Sequence, residues 1–192
     1  KGFGANSWWA NWGYFVNSGG GSFFNADRTA CALDTPEAIA GMEFYQNLYA
    51  SGSGVPFGED AEPPFKAGTL GMFINGRWAT PGAREITSFN WDLAPLPTGP
   101  APGNNWRFWG AYVVNANTAD PAAAWKLVEA LTSTEVQGKI SELGANIPSR
   151  TSQDAIDAFL TYTPPANNQA FVDGISNDAV AEGPLWTGNW PA

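Results

Sequence analysis

Between Phe65 and Gly82 the chain reads Phe-Lys-Ala-Gly-Thr-Leu-Gly-Met-Phe-Ile-Asn-Gly-Arg-Trp-Ala-Thr-Pro-Gly, and this stretch restricts the fold more than any other. Thr69 to Ile74 is a short apolar run of strand-forming residues with turn signals on both sides, which predicts a buried strand. Asn75-Gly76 ends it. Thr80-Pro81 joins a capping residue to a proline suited to the first helical position, so a helix is expected to start there. In open α/β sheets ligands collect beyond the carboxyl ends of strands, and the turn offers Asn75, Arg77 and Trp78 at that place. An amide, a planar cation and a planar ring suit a hydroxylated ligand with apolar faces. The plainer reading is that Asn-Gly is only a turn and that Trp78 belongs to a core.

Helical spacing dominates the rest. Ser7 to Asn17 holds Trp8, Trp9, Trp12, Tyr14, Phe15 and Val16, with Trp8 and Trp12 four residues apart on one expected face. A helix that is aromatic nearly all round must bury more than one face or line a pocket, so one or two of these rings are expected to meet ligand. Gly19-Gly20-Gly21 closes that helix. Asp34 or Thr35 caps the next, with Pro36 at its start and Ile39, Met42, Tyr45 and Leu48 as its predicted core stripe up to Gly52. Ser53 to Pro64 reads as a solvated loop, and its Glu59, Asp60 and Glu62 as solvent-facing acids.

Phe89 to Leu96 is expected to be a second strand and Thr98 to Asn105 a flexible link. Trp106 to Val114 is expected to be a third strand, densely aromatic at its start. Asp120-Pro121 opens an amphipathic helix with Ala124, Leu127, Val128 and Leu131 on one face; Thr132 to Glu135 has the pattern of a capping box, and Gly144 ends the helix that follows. Thr151 to Tyr162 and Asn168 to Asp178 are the remaining predicted helices.

Composition limits the function classes. With 192 residues the chain can bury a full core. A net charge of −9 without any basic cluster argues against nucleic acid or an anionic membrane surface as partner. Charged residues make up only 14% of the chain while ten are tryptophan, a balance that fits a neutral ligand. Without histidine, Ser-His or Cys-His catalysis and His-based metal sites drop out, and neither a metal nor another cofactor is expected. Cys31 is the one cysteine and reads as a small, partly buried thiol. No apolar run approaches the length of a membrane-spanning helix. Starting at Lys1 without a signal peptide, the chain is expected to be a piece of a longer protein.

Phe65, Gly68, Met72, Gly76 and Trp78 match a pattern that resembles the extracellular solute-binding proteins of ABC transporters, the sugar-binding group that includes maltose-binding protein, with Gly71 where that group carries alanine. Further matches follow in order: Gly20-Gly21, Leu33-Asp34-Thr35-Pro36-Glu37-Ala38, Ala94-Pro95-Leu96-Pro97, Asp120-Pro121-Ala122-Ala123-Ala124-Trp125, Leu131-Thr132-Ser133 and Ile147-Pro148-Ser149-Arg150. The resemblance implies an α/β fold, the lobe of a type II periplasmic binding protein, with a short mixed sheet and helices on both faces. Residues 1–105 and 150–192 would belong mainly to the C-terminal lobe, and 106–149 would cross toward an N-terminal lobe that this chain lacks.

The implied function is to capture a sugar or oligosaccharide by stacking and hydrogen bonding and to deliver it to an ABC permease, outside the cell or in the periplasm. Any membrane attachment would run through an upstream lipid anchor. Expected ligand contacts are Trp78, Arg77, Asn75, Trp9, Trp12, Trp109, Gly110 and Trp186, with no catalytic residue. Two alternatives remain. A glycoside hydrolase would need two carboxylates facing each other about 5–9 Å apart, and no acidic pair sits at a predicted strand end. A lectin-like module without a transporter would share every feature named so far.

Overall fold

The computed structural model describes residues 1–101 and 105–181, the last five by their backbone alone, and they form two compact units. The first comprises residues 1–75, 96–108 and the described chain from Asp173; the second comprises 76–95 and 109–172.

In the first unit, β1 (Phe3–Ala5) pairs in parallel with β2 (Met72–Ile74), Phe3 opposite Met72 and Ala5 opposite Ile74. The expected strand from Thr69 is therefore shorter, and Met72 is 62% exposed; Leu70, just before it, is the buried residue. Helices α1 (Trp9–Ser18) and α2 (Pro36–Ala50) pack over this pair. Their approach is close because Gly41 faces the α1 backbone: a Cβ there would stand 2.3 Å from the Phe15 carbonyl oxygen. Thr35 caps α2 by accepting from the Ala38 amide, with Pro36 in the first turn, as its sequence predicts.

The core stripe of α2 is half the expected one. Tyr45 is buried and Leu48 packs against the core as expected, but Ile39 and Met42 are exposed, and Ala38 and Gly41 are buried in their place. The Tyr45 and Tyr49 row turns the helix. Phe3 stands edge-on to Phe15, Tyr45 and Tyr49 at centroid distances of 6.4, 6.4 and 5.9 Å, and the two tyrosine hydroxyls hydrogen-bond to each other at 2.8 Å. Aromatic rings bury more area than Ile or Met and gain from edge-to-face contact, so they take the inner side. Val55, Ala61 and Leu70 form a second apolar cluster, with α3 (Glu62–Lys66) beside it. Cys31 is exposed, contrary to expectation, within a turn bridged from Phe24.

Of the expected third strand only β3 (Asn105–Arg107) forms, in parallel pairing with β4 (Ala179–Ala181). Part of the expected link from Thr98 to Asn105 lies outside the described residues.

The second unit begins with a 3₁₀ turn (Arg77–Ala79) that runs into α4 (Thr80–Ala83), so helical backbone starts earlier than expected and Thr80 lies inside it. The strand expected from Phe89 to Leu96 does not form among the described residues. Asn167 takes up the polar groups there instead: its amide donates to an Asp92 carboxylate oxygen at 2.9 Å and its side chain to the Leu93 carbonyl at 3.1 Å. Helices α5 (Pro121–Leu131), α6 (Thr134–Leu143), α7 (Gln153–Thr161) and α8 (Gln169–Asp173) follow. Asp120 caps α5 as predicted, but Ser133, not Thr132, caps α6 through the Val136 amide. Gly144 ends α6 in the left-handed region, at φ 90°. No residue of α5 is buried, and Leu127 is 61% exposed.

Candidate functional site

Within the first unit, the start of α1 gathers an aromatic group. Trp8 precedes the helix in extended backbone and does not share a helical face with Trp12. Its indole stacks on Phe108 instead, with centroids 5.0 Å apart and planes 28° apart. Trp9 stands edge-on to Trp8, Trp106 and Phe23 at 5.6, 5.1 and 6.0 Å. Trp12 and Phe23 lie 5.1 Å apart.

Two local features hold these rings. The Trp106 Nε1–H donates to the Ala10 carbonyl at 2.9 Å, fixing β3 to α1 through a side chain. Gly13 leaves the room: a Cβ there would meet Phe23 at 2.5 Å and Trp106 at 3.2 Å. The aromatic group is partly exposed, with Trp8 at 41%. Rings arranged edge and face at partial exposure present flat apolar surface bordered by water. That surface suits a ligand with both apolar faces and hydroxyls.

Within the second unit, the turn after β2 carries Arg77 and Trp78 in opposite states. Trp78 is 46% exposed. Arg77 is 5% exposed; it donates to the Asn168 side-chain oxygen at 2.7 Å, and its guanidinium lies over the rings of Phe159 and Phe171 at 4.6 and 5.3 Å. Its Nε and Nη2 are buried with no hydrogen-bond partner among the described residues. Burial lowers its pKa to about 10, with Arg84 adding repulsion, which still leaves it cationic at neutral pH. Arg84 binds carbonyls at three points, donating to Pro164, Glu142 and Tyr162 at 2.6, 2.8 and 3.0 Å.

Of the other expected contacts, Asn75 is half-buried at the end of β2, Trp109 is 72% exposed, and Gly110 is exposed with open space around its α-carbon. Trp186 lies outside the described residues. Sequence reasoning missed Phe23 and the pairing of Trp8 with Phe108. The available signal was Gly13 inside an otherwise aromatic helix, since a helical glycine among rings marks a place where another ring comes close.

Among the described residues no group of acids and cysteine could hold a metal ion. Glu59 and Asp60 are exposed, and Asp60 accepts from the Glu62 amide at 3.0 Å as a local turn contact.

The chain resembles several solved structures. An ABC substrate-binding protein from Listeria monocytogenes in complex with cycloalternan superposes with a TM-score of 0.79 at 18% identity, covering 96% of this chain and 48% of that one. The maltose-maltodextrin binding protein of Alicyclobacillus acidocaldarius gives 0.74 at 25% identity, covering 94% and 51%. A Mycobacterium tuberculosis protein in complex with glycerophosphocholine gives 0.75 at 19%, covering 95% and 47%. The chain thus spans about half the length of these structures. No curated protein sequence matches it. The family described as bacterial extracellular solute-binding protein matches residues 2–168, and the chain belongs to that family.

Proposed function

We propose that this chain is the larger part of one lobe of an extracellular or periplasmic binding protein that captures a sugar or oligosaccharide for an ABC importer. The observation that carries the reading is the partly exposed aromatic group of Trp8, Trp9, Trp12, Phe23, Trp106 and Phe108. Pyranose rings offer an apolar C–H face to such surfaces and hydroxyls to the polar groups beside them. In the second unit, Trp78 and Trp109 are the exposed rings proposed to touch ligand, and Arg77 serves as support from the interior. Asn75, Gly110 and Trp186 complete the proposed contacts, and residues 106–149 are proposed to cross toward the other lobe of the whole protein. Structures of similar fold hold a cyclic oligosaccharide or are named for maltodextrins, which supports carbohydrate as the class.

Binding asks for no nucleophile, and family members are solute-binding proteins. A hydrolase is not favoured, because Glu59 and Asp60 are exposed and Glu62 is half-buried at the start of α3, with Asp60 engaged in a local contact to the Glu62 amide.

The test is a thermal-shift screen against monosaccharides, linear and cyclic oligosaccharides and glycerophosphocholine. A ligand that binds only the folded state at 100 times its Kd adds about 2.7 kcal/mol of stability. A raised melting temperature with oligosaccharide is the expected result. A rise with glycerophosphocholine alone would overturn the carbohydrate assignment. Release of reducing ends from the oligosaccharide would overturn the binding assignment.

A further inference from the structure

Gly76 precedes Arg77 and Trp78 with φ −86° and ψ 174°, ordinary extended backbone that any residue adopts. Its lack of a side chain therefore has a different cause. A Cβ at this position would lie 2.2, 2.3 and 2.5 Å from Cη2, Cζ3 and Cζ2 of Trp78, the outer edge of the six-membered ring. The indole is folded back over the α-carbon two residues earlier, and a Cβ there can be accommodated only if the ring moves.

The residue between them is rooted in the interior. Arg77 is 5% exposed, donates to the Asn168 side-chain oxygen at 2.7 Å and lies over the rings of Phe159 and Phe171. Three successive residues thus form a mount: a bare α-carbon, a buried cation fixed to α7 and α8, and a ring laid back on the turn at 46% exposure.

We propose that Gly76 and Arg77 are positioning residues for sugar binding, holding the Trp78 indole in one orientation before ligand arrives. This rests on the carbohydrate reading given above. A side chain with two free torsions loses entropy when ligand fixes it, so a ring held beforehand binds more tightly for the same contact. Neither Gly76 nor Arg77 has to touch the ligand.

The test uses protein labelled with 5-fluorotryptophan, the Trp78 resonance being assigned by its absence from Trp78→Phe. In Gly76→Ala the backbone is unstrained, and the three atoms nearest the added methyl all belong to the Trp78 ring. The Trp78 fluorine resonance is expected to shift or broaden without ligand, while the other tryptophan resonances hold. Affinity for the oligosaccharide that stabilises the wild type is expected to fall about tenfold, the loss of one well-placed stacking contact. In a Trp78→Ala background the same Gly76→Ala change is expected to leave affinity where it is, since the ring it displaces is gone. Arg77→Met gives a second approach, with the same resonance expected to broaden.

An unchanged Trp78 resonance in Gly76→Ala would overturn the mount. A displaced ring with unchanged affinity would overturn its role in binding. Equal losses from Gly76→Ala in both backgrounds would also overturn it, because the effect would not pass through Trp78. A wild type that binds no carbohydrate defeats the functional reading instead, and the ligand-free fluorine spectrum separates that failure from these.

Discussion

In the first unit Phe3, Phe15, Tyr14 and Tyr45 are buried ring against ring with Val16 and Ala38 beside them, and the Tyr14 hydroxyl donates to the Pro97 carbonyl. Among the described residues of the second unit the buried apolar side chains are Ala83, Pro148, Ala155, Phe159 and Pro165, and most of the buried polar ones are here too: Arg77, Thr80, Gln137, Ser141 and Asn168. Gln137 alone joins three points, donating to the Leu131 carbonyl and accepting from the Ser149 amide and hydroxyl at 2.9, 3.1 and 3.1 Å. The two units therefore depend on different physics. Ring packing stabilises through the apolar area removed from water and close contact, whereas a polar group in a buried network becomes costly once its partner is lost.

Removing one ring from the first unit should have the largest effect. Phe3→Ala deletes the ring that Phe15, Tyr45 and Tyr49 all meet edge-on, and should cost about 3–5 kcal/mol in urea unfolding. A loss below about 1 kcal/mol would mean that the rings repack and that the contrast with the second unit is wrong.

The second unit should show an asymmetry that an apolar core lacks. Asn168→Ala takes away the acceptor of the buried Arg77 guanidinium, at an expected cost of about 2–3 kcal/mol. Arg77→Met removes the cation together with its unpartnered Nε and Nη2, and a methionine of similar reach can still pack on Phe159 and Phe171. It should cost less than Asn168→Ala, under about 1.5 kcal/mol. The reverse order would show that the cation itself, not its partner, stabilises this region.

Alkali should separate the units by sign. Burial and the Tyr49 hydroxyl push the Tyr45 phenol well above its ordinary value of 10, and Tyr49 is raised as well, chiefly by burial. Above pH 10 the folded state holds protons that the unfolded chain has released, so stability falls as pH rises. Arg77 acts oppositely: its folded pKa of about 10 lies below the ordinary guanidinium value, so its contribution rises with pH above about 10. Tyr45→Phe should flatten the alkaline loss in urea midpoints taken from pH 9 to 11.5. An unchanged slope would remove the tyrosine pair from the account.

Effects on stability should be smallest on α5. Leu127→Glu changes a side chain that is 61% exposed and should move stability by no more than about 0.5 kcal/mol. Trp125, Leu127, Leu143 and Val113 leave apolar surface on this unit, so the same change should lower any self-association seen by sedimentation. Aggregation unaffected by it would place the sticky surface elsewhere.

Features set within a few residues were legible in the sequence. Thr35-Pro36 and Asp120-Pro121 start helices, and Gly144 ends one, because capping needs only local geometry. Strands were not, because pairing depends on a distant partner. Phe89 to Leu96 has a strand's pattern but meets the Asn167 side chain near its middle, and Trp106 to Val114 pairs over its first two residues only. The facing of α2 was legible at Tyr45 and Leu48 but not at its start: Ile39 and Met42 repeat at helical spacing, yet Ala38 and Gly41 are the residues buried there, while Tyr45 and Tyr49 meet Phe3. Trp9, Trp12 and Trp78 stood out by type and position, whereas Phe23 joined the aromatic group through Gly13, a contact that spacing does not reveal.

The central claim is that aromatic rings of this chain hold a carbohydrate. It is tested most directly by titrating the wild type and Trp9→Ala calorimetrically with the oligosaccharide that most raises the melting temperature. Trp9 joins Trp8, Phe23, Trp106 and Phe108. The account predicts saturable heat for the wild type and an affinity at least about tenfold weaker for Trp9→Ala, a loss of roughly 1.4 kcal/mol. Equal affinity in the two proteins, with both still folded, would contradict it.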